Sequence, residues 1–205
     1  PELQLHMQRT ALIALELSLA LELPRSQQQT IFCAALLHDI GVLGDKRIVT
    51  SLNDIDNIED PHQHRGAEML SGLPTFAPVL PVIRHHHFNP AHKGNLEEHI
   101  VFFADAFERL LSTGNITTDH HPDIIIDTFR TLHHEIDPML CDTVCQLAQK
   151  EHFWLHLHPG HIQRMLEIIG PINELSIDID GLKDIFNDTA NTEIYSRSLH
   201  AGHPI

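Results

Sequence analysis

Ala34-Ala35-Leu36-Leu37-His38-Asp39-Ile40-Gly41 is the stretch on which the reading of this chain turns. An apolar helix runs out here into two strong metal-ligand side chains, and a glycine follows at once. Adjacent helical residues sit about 100° apart, so His38 and Asp39 cannot both face solvent. At the buried end of a leucine-rich helix, each would be costly to desolvate without a partner. A divalent cation satisfies both, taking a neutral imidazole nitrogen and a carboxylate oxygen together. The plainer alternative is a capping aspartate beside a hydrogen-bonded core histidine, and the rest of the chain has to decide between them.

Upstream, residues 2–23 predict a helix that is apolar on nearly all sides and therefore buried, ended by Pro24. Ser26 with Gln29 predicts a capping box that opens the helix leading to His38-Asp39. Downstream, residues 41–59 predict a polar link carrying Lys46 and Arg47. Asp60-Pro61 predicts an N-cap followed by a first-turn proline, opening a helix to about Leu70. Ser71-Gly72-Leu73-Pro74 breaks it, and Thr75 to about His87 predicts the next helix, with Pro81 near its start or at a kink. Asn95 predicts the cap of a helix reaching Leu111. Further helices are expected over 123–134, 138–151 behind Asp137-Pro138, 159–169, and briefly from Asp180. Alternating strand patterns and internal repeats are absent, so the expected fold is an all-α helical bundle of seven to nine helices.

The 205 residues carry a net charge of −15 with histidines neutral, 42% hydrophobic and 20% charged residues, a globular balance. Such a charge argues against binding a nucleic-acid polymer or an anionic membrane surface, both of which need a cationic face. The first apolar run carries Glu16 and Glu22, so no membrane insertion is expected. Cys33, Cys141 and Cys145 are too few and poorly spaced for a disulfide framework. With no signal-peptide pattern, that predicts a reducing, cytoplasmic setting. The start at Pro1 and the polar end leave room for regulatory domains beyond the chain, and residues 171–205 could serve as a linker or a homodimerisation arm.

Histidine is the compositional outlier, at 19 residues, and it is the commonest metal ligand. Ligand-type side chains fall on five helical segments: His6 in the first helix, His38-Asp39 at the end of the second, and His62 opening the third. His85-His86-His87 close the fourth, and Asp105 lies mid-helix in the fifth. Gly66, one turn after His62, would allow a close approach between helices. Asp105 follows Ile100-Val101-Phe102-Phe103-Ala104, where a carboxylate must be paired, protonated or metal-bound; an ion pair with Arg109 at i+4 is the alternative. Three consecutive helical histidines span about 200°, so His85, His86 and His87 cannot all reach one site.

This ordered set, with Leu36-Leu37-His38-Asp39-Ile40-Gly41, His62-x-x-x-Gly66-Ala67-Glu68, His86-His87 and Ala104-Asp105-Ala106-Phe107, resembles the HD superfamily of metal-dependent phosphohydrolases, and its HD-GYP branch in particular. The resemblance covers about residues 1–155, implying an HD-domain helical bundle there and a C-terminal helical extension over 156–205. It implies a phosphodiesterase similar to those that hydrolyse cyclic di-GMP with a metal-activated water. The substrate would be a small phosphoester or cyclic dinucleotide. Carried over by position, His6, His38, Asp39, His62, His86, His87 and Asp105 would be metal ligands, with Asp39 bridging. His38 and Asp39 would then stand at the catalytic centre. The implied cofactor is a divalent transition metal, two ions of iron or manganese, with nickel, zinc or magnesium as alternatives. Glu2, four residues before His6, matches a further ligand for a third ion.

Three positions depart from that pattern. Val42 stands where the family has a lysine after His-Asp-x-Gly, Phe88 where it has a glutamate, and Gly94-Asn95-Leu96 where it has Gly-Tyr-Pro. Arg9, Arg84, Lys46 and Arg47 are the cations that could contact phosphate in place of the lysine. The departures also support a second reading, a metal- and nucleotide-binding regulatory domain in signalling with little or no catalysis. A third reading is a structural helical domain with incidental histidines. Cys141 and Cys145 with His133-His134 form no convincing zinc pattern, and Trp154 is expected to anchor the last helices to the bundle.

Overall fold

A computed structural model of the chain describes residues 2–44, 62–87, 94–113, 122–133 and 137–171. Among these the architecture is all-α, as the sequence predicts, with no strand. The helices are α1 (Glu2–Ala20), α2 (Arg25–Leu37), α3 (His62–Leu70), α4 (Leu80–His85), α5 (Leu96–Thr113), α6 (Pro122–His133), α7 (Pro138–Ala148), α8 (Glu151–Leu157) and α9 (Ile162–Ile169). Two short 3-10 turns, Ile40–Gly44 and Pro74–Phe76, complete the set. Among the described residues no helix is long and apolar enough to cross a membrane.

Helix α1 is the central post. Its middle, from Thr10 to Ser18, is buried on every side, which is why the sequence shows no polar stripe there. Helices α2 and α5 flank it and α7, α8 and α9 close over it. Phe32, Phe103, Phe107, Phe129 and Phe153 are fully buried in the resulting core. Phe107 meets Phe129 edge-on at 5.1 Å between ring centroids and Phe153 at 6.0 Å, a geometry aromatic pairs favour. Trp154 lies beside the same ring and its indole N–H donates to the Ala148 carbonyl at 2.6 Å. Helix α8 is thereby fastened to the back of α5 and α1, and it runs across position 155.

Several expected boundaries move. Helix α2 opens at Arg25 with Pro24 at the N-cap and no side-chain cap, so the Ser26–Gln29 box does not form. Instead Gln28 turns back and donates to the Leu23 carbonyl at 2.8 Å. The segment from Thr75 does not begin a long helix: Pro74 nucleates a 3-10 turn, and α4 starts only at Leu80 with Pro81 in its first turn. The expected helix over 138–151 is interrupted at Gln149–Lys150, giving α7 and α8. Asp137 caps α7, its carboxylate accepting from the Leu140 N–H. The Asp60-Pro61 cap and the helix expected from Asp180 lie outside the described residues.

Candidate metal centre

The five segments that carry the ligand-type residues meet at one end of α1. The chain is led there by two similar helix ends. His38 is the C-cap of α2 and His86 the C-cap of α4. Each donates its Nδ1–H to the carbonyl three residues back, His38 to Ala35 and His86 to Ile83, both at 2.7 Å. A last-turn carbonyl that lacks a helical partner is satisfied, and the ring is fixed with Nε2 pointing inward.

Asp39 follows His38 into the 3-10 turn, where Gly41 lets the chain meet α3 backbone to backbone. A Cβ on Gly41 would stand 2.0 Å from the His62 carbonyl oxygen and 2.6 Å from the Gly66 nitrogen. Gly66 faces the same turn, and a Cβ there would stand 3.1 Å from the Gly41 nitrogen. Two glycines thus bring His62, at the first turn of α3, against the Asp39 carboxylate.

That carboxylate divides its oxygens between two clusters. Oδ2 lies 3.3 Å from His38 Nε2 and 3.5 Å from His6 Nε2. Asp105 Oδ1 completes this first group, 3.1 Å from His6 Nε2 and 3.7 Å from His38 Nε2. Oδ1 of Asp39 belongs to the second group, 3.0 Å from His62 Nε2 and 3.6 Å from His86 Nε2, with His87 Nε2 3.0 Å from His62 Nε2. Donor atoms bonded to one ion at about 2.1 Å stand roughly 3.0–3.4 Å apart, which matches these spacings.

The polar inventory fits a cation as well. Asp39 Oδ2 and Asp105 Oδ1 are fully buried, and among the described residues no well-aligned hydrogen bond reaches either, although histidine nitrogens stand within 3.1–3.7 Å. Two orphaned carboxylate oxygens in an apolar bundle would be costly without a counter-ion. His6 and His38 have both Nδ1 atoms committed and bring their Nε2 atoms within 3.2 Å of each other. Converging imidazole lone pairs are favourable around a cation, and otherwise protons must take its place.

The acid–base balance shows that substitution. Burial pushes the His6 imidazolium down, but the carboxylates of Asp105, Asp39 and Glu108 outweigh it and hold the group up at about 11. Burial likewise opposes the charge on His38, and Asp39 and Asp105 overcome it, raising it to about 9. Burial would raise both carboxylates, but the surrounding histidines hold Asp39 and Asp105 well below the usual range. In the second cluster burial wins: His86 is lowered and His87 falls to about 3, so both stand neutral with free lone pairs.

These opposed shifts predict how ion binding depends on pH. At pH 7 an ion entering the first cluster must displace protons from His6 and His38, while His86 and His87 in the second have none to lose. Loading of the first position is therefore expected to release up to about two protons, with its affinity rising about tenfold per pH unit for each proton displaced. Calorimetry in buffers of different ionisation enthalpy measures the release, and heats independent of buffer would contradict the assignment. In the ion-free fold, the stabilisation from His6 and His38 is complete below their ordinary 6.5 and lost as pH rises through about 9 and then about 11. That from Asp39 and Asp105 is present above 3.8 and lost on acidification.

Of the other expected residues that the structure describes, none belongs to the two clusters. His85 turns away to Glu98, Nδ1 to Oε1 at 3.1 Å. Glu2 and Arg84 are exposed. Arg9 points behind His6, its Nε–H donating to the Leu157 carbonyl at 3.0 Å. Lys46, Arg47 and Phe88 lie outside the described residues. Sequence reading overlooked Glu108, which is fully buried and bonded to His6 Nδ1. Its signal was available: one turn after Asp105 it shares that residue's inward face.

Comparison with known proteins agrees with this geometry. Residues 4–110 match the family model described as the HD domain. The chain is 26% identical over 176 residues to the 3'3'-cGAMP-specific phosphodiesterase 1 of Vibrio cholerae serotype O1. That match takes in 78% of this chain and spans 41% of the relative's length. No solved structure matches.

Proposed function

The chain belongs to the HD domain family, and from that premise we propose that it is a metal-dependent phosphohydrolase of the HD-GYP-like branch, opening a phosphodiester of a cyclic dinucleotide. The observation that carries this reading is the Asp39 carboxylate, one oxygen turned to His6 and His38, which Asp105 also faces, and the other to the cluster of His62, His86 and His87. Residues 1–155 would form the metal-binding unit, with the later helices as an extension. Iron or manganese is the expected pair, since the donor set mixes imidazole and carboxylate. Bound to these residues, two ions would supply Lewis acidity for a phosphoryl oxygen and lower the pKa of water. The chain's own part is to fix both positions through Asp39 and to hold the His38 and His86 rings by their backbone acceptors. The relative's substrate makes 3'3'-cGAMP a candidate alongside cyclic di-GMP. Cytoplasmic signalling by cyclic dinucleotides is the setting in which this activity fits.

The test is chromatographic detection of linear dinucleotide after the manganese- or iron-loaded chain meets each cyclic substrate. Turnover that stops on chelation is the expected result. Absence of product from protein shown to hold its ions would contradict it and favour the second reading, a regulatory domain that binds nucleotide without turnover. Two observations support that alternative. Val42 is buried just after Asp39 and offers no cation to a phosphate. The segment matching the Gly-Tyr-Pro loop is spent on a helix cap: Asn95 Oδ1 accepts from the Glu98 N–H at 2.9 Å, and Glu98 Oε2 accepts from the Asn95 N–H at 3.3 Å.

A further inference from the structure

We infer that Glu108 and Arg9 form a positioning pair that sets the first metal position, and that through Arg9 the carboxyl end of α8 becomes part of the centre's support. The inference rests on the two-ion reading above and concerns residues outside both ligand clusters.

Glu108 is fully buried, on the face of α5 that carries Asp105. Its Oε2 accepts from His6 Nδ1–H, and its Oε1 takes the Ser112 hydroxyl. His6 Nδ1 is thereby committed, and Nε2 is left to face His38, Asp39 and Asp105. The other first-cluster histidine, His38, is fixed by a backbone carbonyl. His6 sits inside a helix, where its own turn offers no free carbonyl, so a side chain has to do this work. A carboxylate is a stronger acceptor than a carbonyl and makes the ring a better donor to a cation.

A lone buried carboxylate would not hold still, and Arg9 accounts for why this one does. Arg9 Nη1 lies 3.5 Å from Glu108 Oε1, while Arg9 Nε donates to the Leu157 carbonyl at 3.0 Å. That carbonyl is at the last turn of α8, among the groups without a helical partner. One guanidinium thus joins α8 to the residue behind His6. A second clamp, His156 Nδ1 to Glu16 Oε1 at 2.7 Å, holds the same helix to α1.

The experiment titrates the full chain with Co²⁺ and Mn²⁺, following the cobalt absorption spectrum and the number of ions held. His6→Ala and His87→Ala serve as references for losing the first and second positions. Glu108→Gln keeps the shape of the side chain, and Arg9→Met keeps the buried stem. Both variants are expected to weaken the first position about 10- to 100-fold, with an altered cobalt spectrum, and to leave the second unchanged. A purely structural role would move both positions together or neither, and either result overturns the inference. A wild-type chain holding two ions beside variants with unchanged affinities removes this inference alone. A wild-type chain that holds no ion removes the two-ion reading with it.

Discussion

Replacing Asp39 by asparagine is expected to lose both ions in one step. No other side chain in the two clusters offers an atom to each of them. Asparagine preserves the volume, so the bundle keeps its packing, but it presents one neutral oxygen and one NH₂. Whichever way it turns, N–H bonds face either the His38 side at 3.3 Å or the His62 side at 3.0 Å, where a cation would have to sit. Even changes in residues that merely support ligands cost about 10- to 100-fold in affinity, so loss of a shared ligand is expected to exceed about 100-fold at each position. Stability reports the same event. An ion at a thousand times its dissociation constant stabilises a fold by about 4 kcal/mol, on the order of 10 °C for a chain of this size. Wild-type protein is expected to show that rise on adding manganese, and Asp39→Asn to show almost none. A variant that keeps its manganese-dependent rise would contradict the bridging role.

Gly41→Ala is expected to produce the second-largest effect, by a purely steric route. The three atoms nearest a new Cβ are backbone atoms of His62 and Gly66, the closest at 2.0 Å. No rotamer change relieves such a contact, so α3 must back away from the 3-10 turn and carry His62 off Asp39. Overpacking of this kind costs about 3 kcal/mol, and a displacement near 1 Å at a reacting centre costs about 100-fold in rate. Denaturant titration and turnover with manganese check the two halves. Gly72→Ala is the matched control: nothing lies within 4 Å of its Cβ position, and a change of about 0.5 kcal/mol or less is expected. Equal behaviour of the two variants would show that the close approach at Gly41 is not what places His62.

The clustering of histidines and aspartates was legible because ligand chemistry is carried by residue type. A carboxylate after Ile100-Val101-Phe102-Phe103-Ala104, or a histidine-aspartate pair closing a leucine-rich helix, is anomalous wherever the chain goes. The spacing of Gly66 from His62 announced a close contact, although its partner, Gly41, emerges only from the tertiary arrangement. The supporting residues were harder to read. Arg9 resembles a surface cation in the sequence, and nothing local says that Leu157, far along the chain, will supply its acceptor. The spacing puts Glu108 on the face of Asp105, but that it stands behind His6 emerges only when α1 is laid across it. Helix boundaries failed where side chains had two competing uses. Gln28 could have stayed in a capped first turn but reaches the Leu23 carbonyl, whereas the cap expected at Asn95 forms and Glu98 completes it as a capping box. Phase along α4 was legible in part: among three successive histidines, geometry excluded one from the cluster, and the Glu98 carboxylate decides that it is His85.

The central claim is that one carboxylate organises two cations, and anomalous diffraction from manganese-loaded crystals tests it most directly. Two peaks about 3.5–4 Å apart, one on each side of Asp39, are the predicted result. The first should lie among His6, His38 and Asp105, and the second among His62, His86 and His87. A single peak, or two that do not both touch Asp39, would contradict the account.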